Sequence, residues 1–303
     1  MIARGEGLME LTERTLKLKI YDFLDLVGLP LRPMEEDHND WYLKEFGNKA
    51  RVMLANAVNE RDPVQYEMIW QTEESMRRFF WPLSAPTILS LPYLIDLEYV
   101  KGRVIDVGSG MGFAACFIAW LNPNADVLAV EGSENGTIRG MELARKAGIT
   151  NIKFQCAYLN ELESDPEFDL VTSFLTAHEI GSLGNLHAIY GHDAHSDEFA
   201  AINLEKYQDD YAKFVSGLLK SDGKVFSVER LGDMADQCAW VGGLRNAGLF
   251  VDLEKSRFVY PYNESWGHRE RLPIFVGSRQ ETELSVGGFE HWYNLHPFGG
   301  DVE

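Results

Sequence analysis

The sequence predicts a doubly wound α/β fold, a mostly parallel sheet behind an α-helical cap, and three observations carry that prediction. From Gly102 onward, β-branched runs and apolar helical stretches alternate, the order expected of a parallel sheet with right-handed crossovers. The first of these strands runs into glycines at 108, 110 and 112, a turn that brings helix N-terminal N–H groups to a crevice. Residues 1–98 lack strand-and-glycine units and repeat apolar residues every three or four positions, the helical period.

The cap comes first in the chain. "LTERTLKLKIYDFLDLVGL" and "KARVMLANAVNERDPVQYEMIWQTEESMRRFFW" both have the helical spacing. Breaks are expected at Gly28-Leu29-Pro30, Arg32-Pro33 and Trp81-Pro82, because proline disfavours helix continuation. Three or four helices result, the last ending near Arg78 to Trp81, with "LSAPTILSLPYLIDLEYVKG" leading to the first strand. That places a helical cap over 1–98 and the sheet domain over 99–303.

In the sheet domain "RVIDVG" is a strand and "FAACFIAWLN" a helix, followed by strand "ADVLAVEG" and helix "ENGTIRGMELARKAG". "NIKFQCAY" and "FDLVTSFLT" are the third and fourth strands, and "LEKYQDDYAKFVSGLLKSDG" is an amphipathic helix before the fifth, "KVFSVER". "MADQCAWVGGLRNAG" is the last helix of the series. The strands "LFVDLEKSRFVYPY" and "RLPIFVGSR" follow with no helical pattern between them, which predicts an antiparallel hairpin at one edge.

The chain has 303 residues, 45% of them hydrophobic and 12% aromatic, enough to bury a full core. Lys and Arg number 28 against 47 Asp and Glu, a formal charge of −19. A surface that acidic repels phosphate backbones, so no nucleic-acid partner and no membrane partner is expected. The three cysteines, Cys116, Cys156 and Cys238, have no CxxC or Cys/His finger spacing, so neither a disulfide framework nor a structural zinc site is supported. The N-terminal stretch has no long apolar core with a cleavage site, and no apolar run reaches membrane-span length. A cytoplasmic location is the expectation.

The stretch from Val104 to Gly112, "VIDVGSGMG", decides among nucleotide-like ligands. Dinucleotide folds use G-x-G-x-x-G/A with pyrophosphate over the helix N-terminus. Here the glycines fall on alternate positions, Phe113 follows, and Asp106 stands where a pyrophosphate would be repelled. This stretch resembles motif I of the class I S-adenosylmethionine-dependent methyltransferases, a resemblance that runs over about residues 99 to 279. It implies a Rossmann-like sheet of seven strands and S-adenosyl-L-methionine as cofactor. It also implies that Asp106 serves the aminoacyl end of the cofactor, with Gly108, Ser109, Gly110 and Gly112 as the cradle. Glu131, at the end of the second strand, would accept both ribose hydroxyls, a strong geometry for a carboxylate, with Gly132 and Ser133 beside it. After the third strand the family often has an acid that reads the adenine. This chain has Ala157 and Tyr158 there, so backbone groups over Ala157, Tyr158 and Leu159, or the Asn160 side chain, are the candidates, with Phe174 at the end of the fourth strand.

Such an enzyme is expected to methylate O or N of a small molecule by in-line transfer. His178 and Glu179, just past the fourth strand, are the candidate proton acceptors, or else one of them braces the loop. His187, His192, Asp193 and His195 crowd the same loop, but their spacing fits no metal motif, and no metal is assigned. Trp70, Phe80 and Trp81 are candidate substrate-binding aromatics, able to face a sulfonium or a cationic substrate; the competing reading is that aromatics at helical spacing pack a core. Extra N-terminal helices of this size resemble those of small-molecule and natural-product methyltransferases, some of which form a homodimer. Two other uses of the same motifs stand beside methyl transfer: cyclisation of the cofactor's aminobutyryl arm with release of methylthioadenosine, and a non-catalytic cofactor-binding scaffold.

Overall fold

The computed structural model describes residues 13–32, 41, 44, 47, 64–96, 100–158, 161–162, 167–176, 197–231, 234–263, 268–284 and 286–295. Strand β1 (Arg103–Val107) pairs in parallel with β2 (Asp126–Glu131) on one side and β4 (Phe168–Phe174) on the other. β3 (Ile152–Cys156) continues the sheet beyond β2, and β5 (Leu219–Val228) beyond β4, both in parallel. Connections leave β1 in both directions, so a crevice opens beyond the carboxyl ends of β1 and β4.

The far side has one strand more than expected. β10 (Leu272–Ser278) runs antiparallel between β5 and β6 (Phe250–Val251), and β7 (Arg257–Val259) also pairs with β10. The run that reads as a single strand is split at Asp252. Its carbonyl accepts from Lys255 N (3.2 Å) and Ser256 Oγ (2.7 Å), and its carboxylate from Glu254 N (3.1 Å). This local turn breaks the ladder and gives eight strands. The short pair β8 (Tyr262–Asn263) and β9 (His268–Arg269) lies between β7 and β10 in the chain.

Helices cover both faces. Helix α1 (Glu13–Val27) buries Leu16, Ile20, Phe23, Leu24 and Val27, the one-sided stripe of an amphipathic helix. Phe23 meets Phe113, Phe117 and Trp120 of α4 (Phe113–Leu121) at 6.0, 5.7 and 5.4 Å. With α2 (Val64–Trp70), α3 (Glu73–Asp96) and α5 (Glu134–Ala147), these helices share one core with Val104, Leu170 and Phe226 of the sheet. The opposite face packs α6 (Asp197–Leu218), α7 (Met234–Asn246) and α8 (Val286–Leu295) on Ile105, Val171, Val225 and Phe275. Neighbouring strand residues therefore serve opposite cores, as the strand period of two requires.

The expected helix end near Arg78 to Trp81 is corrected. α3 continues to Asp96 through Pro82, Pro86 and Pro92. Each interior proline costs about 3 kcal/mol, but Phe80, Ile88, Leu91 and Leu94 are buried along the same helix, at about 1.5–3 kcal/mol each. Burial offsets the broken ladder. In the same helix the buried Ser90 Oγ donates to the carbonyls of Pro86 (2.9 Å) and Thr87 (3.0 Å).

No described helix is long and apolar enough to cross a membrane.

Candidate functional site

β1 leaves the sheet through a loop whose glycines, Gly108, Gly110 and Gly112, have φ of 65°, 55° and 71°. Glycine occupies this left-handed region without steric cost. Ser109 N donates to Val130 O (2.9 Å) and Gly112 N to Ser109 O (2.8 Å), pinning the loop to β2 and to itself. The surroundings differ at each position. A Cβ at 108 would lie 2.5 Å from the Thr176 side chain, and one at 112 would lie 2.7 Å from the Phe154 ring and 3.1 Å from the Gly140 backbone. At 110 the nearest atom is the edge of Trp70 at 3.9 Å. Gly110 is the glycine with open space beside it; the other two are closely packed.

Asp106 lies under this loop and is 1% exposed. Thr172 Oγ1 on β4 donates to its Oδ1 at 2.7 Å, while Oδ2 has no hydrogen-bond partner. Burial pushes its pKa up to about 7, against the Thr172 hydrogen bond and the Ala115 amide, which favour the charged form; the nearby Glu131 carboxylate raises it further. A buried acid with an open lone pair is costly unless a positive donor reaches it. Ser109 Oγ and Trp70 Nε1 are likewise buried without partners. Three orphaned polar atoms around one glycine loop fit a ligand carrying both donors and acceptors, such as an aminoacyl nucleoside.

Glu131 ends β2 with its carboxylate already oriented. Its Oε2 accepts from Gly110 N (2.7 Å) and its Oε1 from Ser133 N (2.9 Å). Each carboxylate oxygen has a second lone pair, so the pair remains suited to a vicinal diol. Ser133 is the N-cap of α5, its side chain accepting from Gly136 N at 2.9 Å, which is a structural use of a residue expected beside the ligand. Gly132 lies under the Tyr158 ring, since a Cβ there would come within 3.0 Å of it. Ala157 N donates to Glu131 O (3.0 Å), and Tyr158 N to the Glu161 carboxylate (2.8 Å). Leu159 and Asn160 lie outside the described residues.

At the end of β4, Phe174 packs on Phe226 with ring centroids 6.0 Å apart. Leu175 then takes a left-handed φ of 58°, unusual for a residue with a side chain and a recurrent feature of functional sites. Thr176 Oγ1 donates to Val107 O (2.9 Å) and so ties the two strand exits together. His178 and Glu179, and the cluster His187, His192, Asp193 and His195, lie outside the described residues. Among the described residues no group of three metal-ligating side chains occurs.

The three expected aromatics separate. Phe80 is fully buried, edge-on to Phe113 at 5.1 Å, and Trp81 donates from Nε1 to Pro30 O at 2.9 Å. Both brace the helical layer, because the α3 face they share is the one that packs on α1 and α4. Trp70 is the aromatic that reaches the glycine loop, between Gly110 and Gly136. Sequence reading had no signal for what holds it there. The Glu67 carboxylate accepts from Glu134 N and Asn135 N at the start of α5, and Arg139 donates to the carbonyls of Trp70 and Gln71.

Residues 100–230 match a family model described as a methyltransferase domain. A curated tRNA (guanine-N(7)-)-methyltransferase from Edwardsiella ictaluri is 28% identical over 103 residues, 31% of this chain and 42% of that protein. The chain thus spans less than half the length of that relative. Among solved structures, TrmN from Thermus thermophilus is similar with a TM-score of 0.46 and 20% identity, over 67% of this chain and 53% of that one. A ribosomal protein L11 methylase from Lactobacillus delbrueckii subsp. bulgaricus gives 0.43 and 20%, over 65% and 79%.

The tRNA relative overturns one expectation. A chain charge of −19 led to the expectation of no nucleic-acid partner, yet a protein named for tRNA is similar over 103 residues. Net charge is a sum over the whole surface and does not fix the local charge at the acceptor edge. Arg230, Arg269 and Arg271 fall where β5 ends and β10 begins, with Glu270 paired to Arg230 at 3.1 Å. The alternate-glycine loop that follows the buried Asp106 and the Glu131 that ends β2 both fall inside the matched domain. Residues 100–230 of the chain carry a methyltransferase domain.

Proposed function

We propose that this chain binds S-adenosyl-L-methionine across the β1 and β2 exits and transfers its methyl group to an oxygen or nitrogen nucleophile. The observation that carries this reading is the buried Asp106 carboxylate near the end of β1, two residues before the glycine loop, whose Oδ2 has no hydrogen-bond partner. Asp106 would hold the ammonium of the aminoacyl arm, Glu131 the ribose diol, and the backbone around Ala157 and Tyr158 the adenine. When bound, the cofactor supplies a methyl on a sulfonium, which a lone pair takes in line. The acceptor approaches over the end of β4, past Leu175 and Thr176, and His178 and Glu179 follow these in the sequence. These two are the residues to vary as proton acceptors, and a nucleic-acid nitrogen belongs among the acceptors assayed, given the tRNA relative.

Calorimetric titration with S-adenosylhomocysteine tests the shared premise. The wild type is expected to bind, and Asp106→Ala to lose about a hundredfold in affinity, the size of a hydrogen bond to a charged group plus the buried group left unpaired. No binding by the wild type sinks the reading. Product analysis separates transfer from cyclisation: S-adenosylhomocysteine as product supports the proposal, and methylthioadenosine overturns it.

A further inference from the structure

We infer that the Trp70 indole N–H is a direct ligand for the cofactor's ribose, held there by a latch between α2 and α5; the inference rests on the proposed cofactor. Trp70 is 3% exposed and its Nε1 has no partner. Indole geometry fixes where that N–H lies. In the ring Cδ1, Nε1, Cε2 and Cζ2 follow one another along one edge. Cδ1 lies 3.1 Å from where a Gly136 Cβ would sit, and Cζ2 3.9 Å from the corresponding point at Gly110. The edge that carries the N–H therefore lies where the glycine loop meets the first turn of α5, with the Gly110 carbonyl oxygen 2.9 Å from the same Gly136 position. Glu131 borders the same junction, its Cγ 3.1 Å from the Gly136 position. A donor thus stands beside the carboxylate that is suited to a diol. An indole N–H can only donate, so the group that completes the site offers an oxygen lone pair. A ribose hydroxyl does so while donating its own proton to Glu131.

The latch explains why a short helix holds such a donor in place. Glu67 on α2 accepts from two backbone N–H groups at the start of α5, where the helix dipole favours an anion. Asn135 Nδ2 donates back to Glu67 O (3.0 Å), and Arg139 grips the carbonyls of Trp70 and Gln71 at 3.0 Å each. Trp70 is thereby tied to the same helix that frames the ribose pocket.

The test is calorimetric binding of S-adenosylhomocysteine and of methylthioadenosine, which keeps the ribose and lacks the aminoacyl arm. Trp70→Phe retains the ring contacts and removes the donor; it is expected to weaken both ligands by the same factor, about fivefold, the weight of one neutral hydrogen bond. Glu67→Gln is expected to weaken both in the same proportion as each other, and Trp70→Phe to add less than its single effect in that background. Wild-type affinity for S-adenosylhomocysteine in Trp70→Phe overturns the inference while leaving the cofactor reading intact. Loss confined to S-adenosylhomocysteine also overturns it, because that would place the donor at the aminoacyl end. Failure of the wild type to bind either ligand removes the cofactor reading instead.

Discussion

Affinity for S-adenosylhomocysteine is expected to fall about tenfold for each pH unit below about 7, with uptake of the ligand releasing a proton. The cause is Asp106. Burial holds its pKa near 7 in the free protein, whereas an ammonium at Oδ2 favours the ionised form. Below the free-protein pKa the carboxyl must lose its proton before it can pair, and that cost appears as weaker binding. The same shift sets a stability profile of opposite sense. A folded-state pKa above the unfolded value of 3.8 means that the folded protein holds the proton more tightly. Stability is then greatest below pH 3.8 as far as this group is concerned, and declines as pH rises toward 7. By pH 8 the penalty for the ionised buried carboxylate is on the order of 4 kcal/mol. Asp106→Asn should consequently raise the melting temperature at pH 8 and change it little near pH 4. Its ligand affinity should be low and flat with pH. Titration calorimetry at pH 6, 7 and 8, in two buffers of different ionisation enthalpy, reads both the affinity and the proton. A wild type whose affinity is constant across that range rules out the pairing.

Much of the core was legible because its signals are local. The alternation of strands and helices, the turn at Gly108 to Gly112 and the acid ending β2 can be read from chain spacing, and each stands where spacing put it. The misread elements are those where tertiary terms outweigh local ones. Three prolines argue against a helix, but burial of Phe80, Leu91 and Leu94 carries α3 through them. Asp252 splits one strand-like run by a side-chain turn that strand propensity does not register. The Glu67 and Arg139 latch joins residues 67 to 69 positions apart in the chain, and no spacing rule reaches that far. The aromatic pair Phe80 and Trp81 carried the opposite lesson, since the core reading of their helical spacing holds. The exclusion of nucleic acid failed because a total charge says nothing about where the charge lies.

The three glycines of the loop should respond to alanine in different currencies of measurement, although they share one motif and one backbone region. Each substitution forces a side chain into left-handed φ, which costs roughly 1–2 kcal/mol. At Gly112 the new methyl also meets the Phe154 ring at 2.7 Å and the Gly140 backbone at 3.1 Å. The ring end can shift, but Gly140 belongs to α5, so α4 and α5 must part; overpacking of this kind adds about 1–3 kcal/mol. Gly112→Ala is therefore expected to lose about 2–5 kcal/mol in chemical denaturation. Gly108→Ala displaces Thr176 and its hydrogen bond to Val107 O, for a loss of similar size. Gly110→Ala meets little protein, the Trp70 edge being 3.9 Å away, so its stability loss should stay near the backbone cost alone. Its methyl instead enters the space assigned to the ligand, and S-adenosylhomocysteine affinity should drop at least tenfold. Denaturation of the three variants alongside ligand titration of Gly110→Ala distinguishes a turn that merely folds from one that also binds. If Gly110→Ala bound as the wild type does, the open side of the loop would not be where the cofactor lies, since a methyl on that face could not then be in its way.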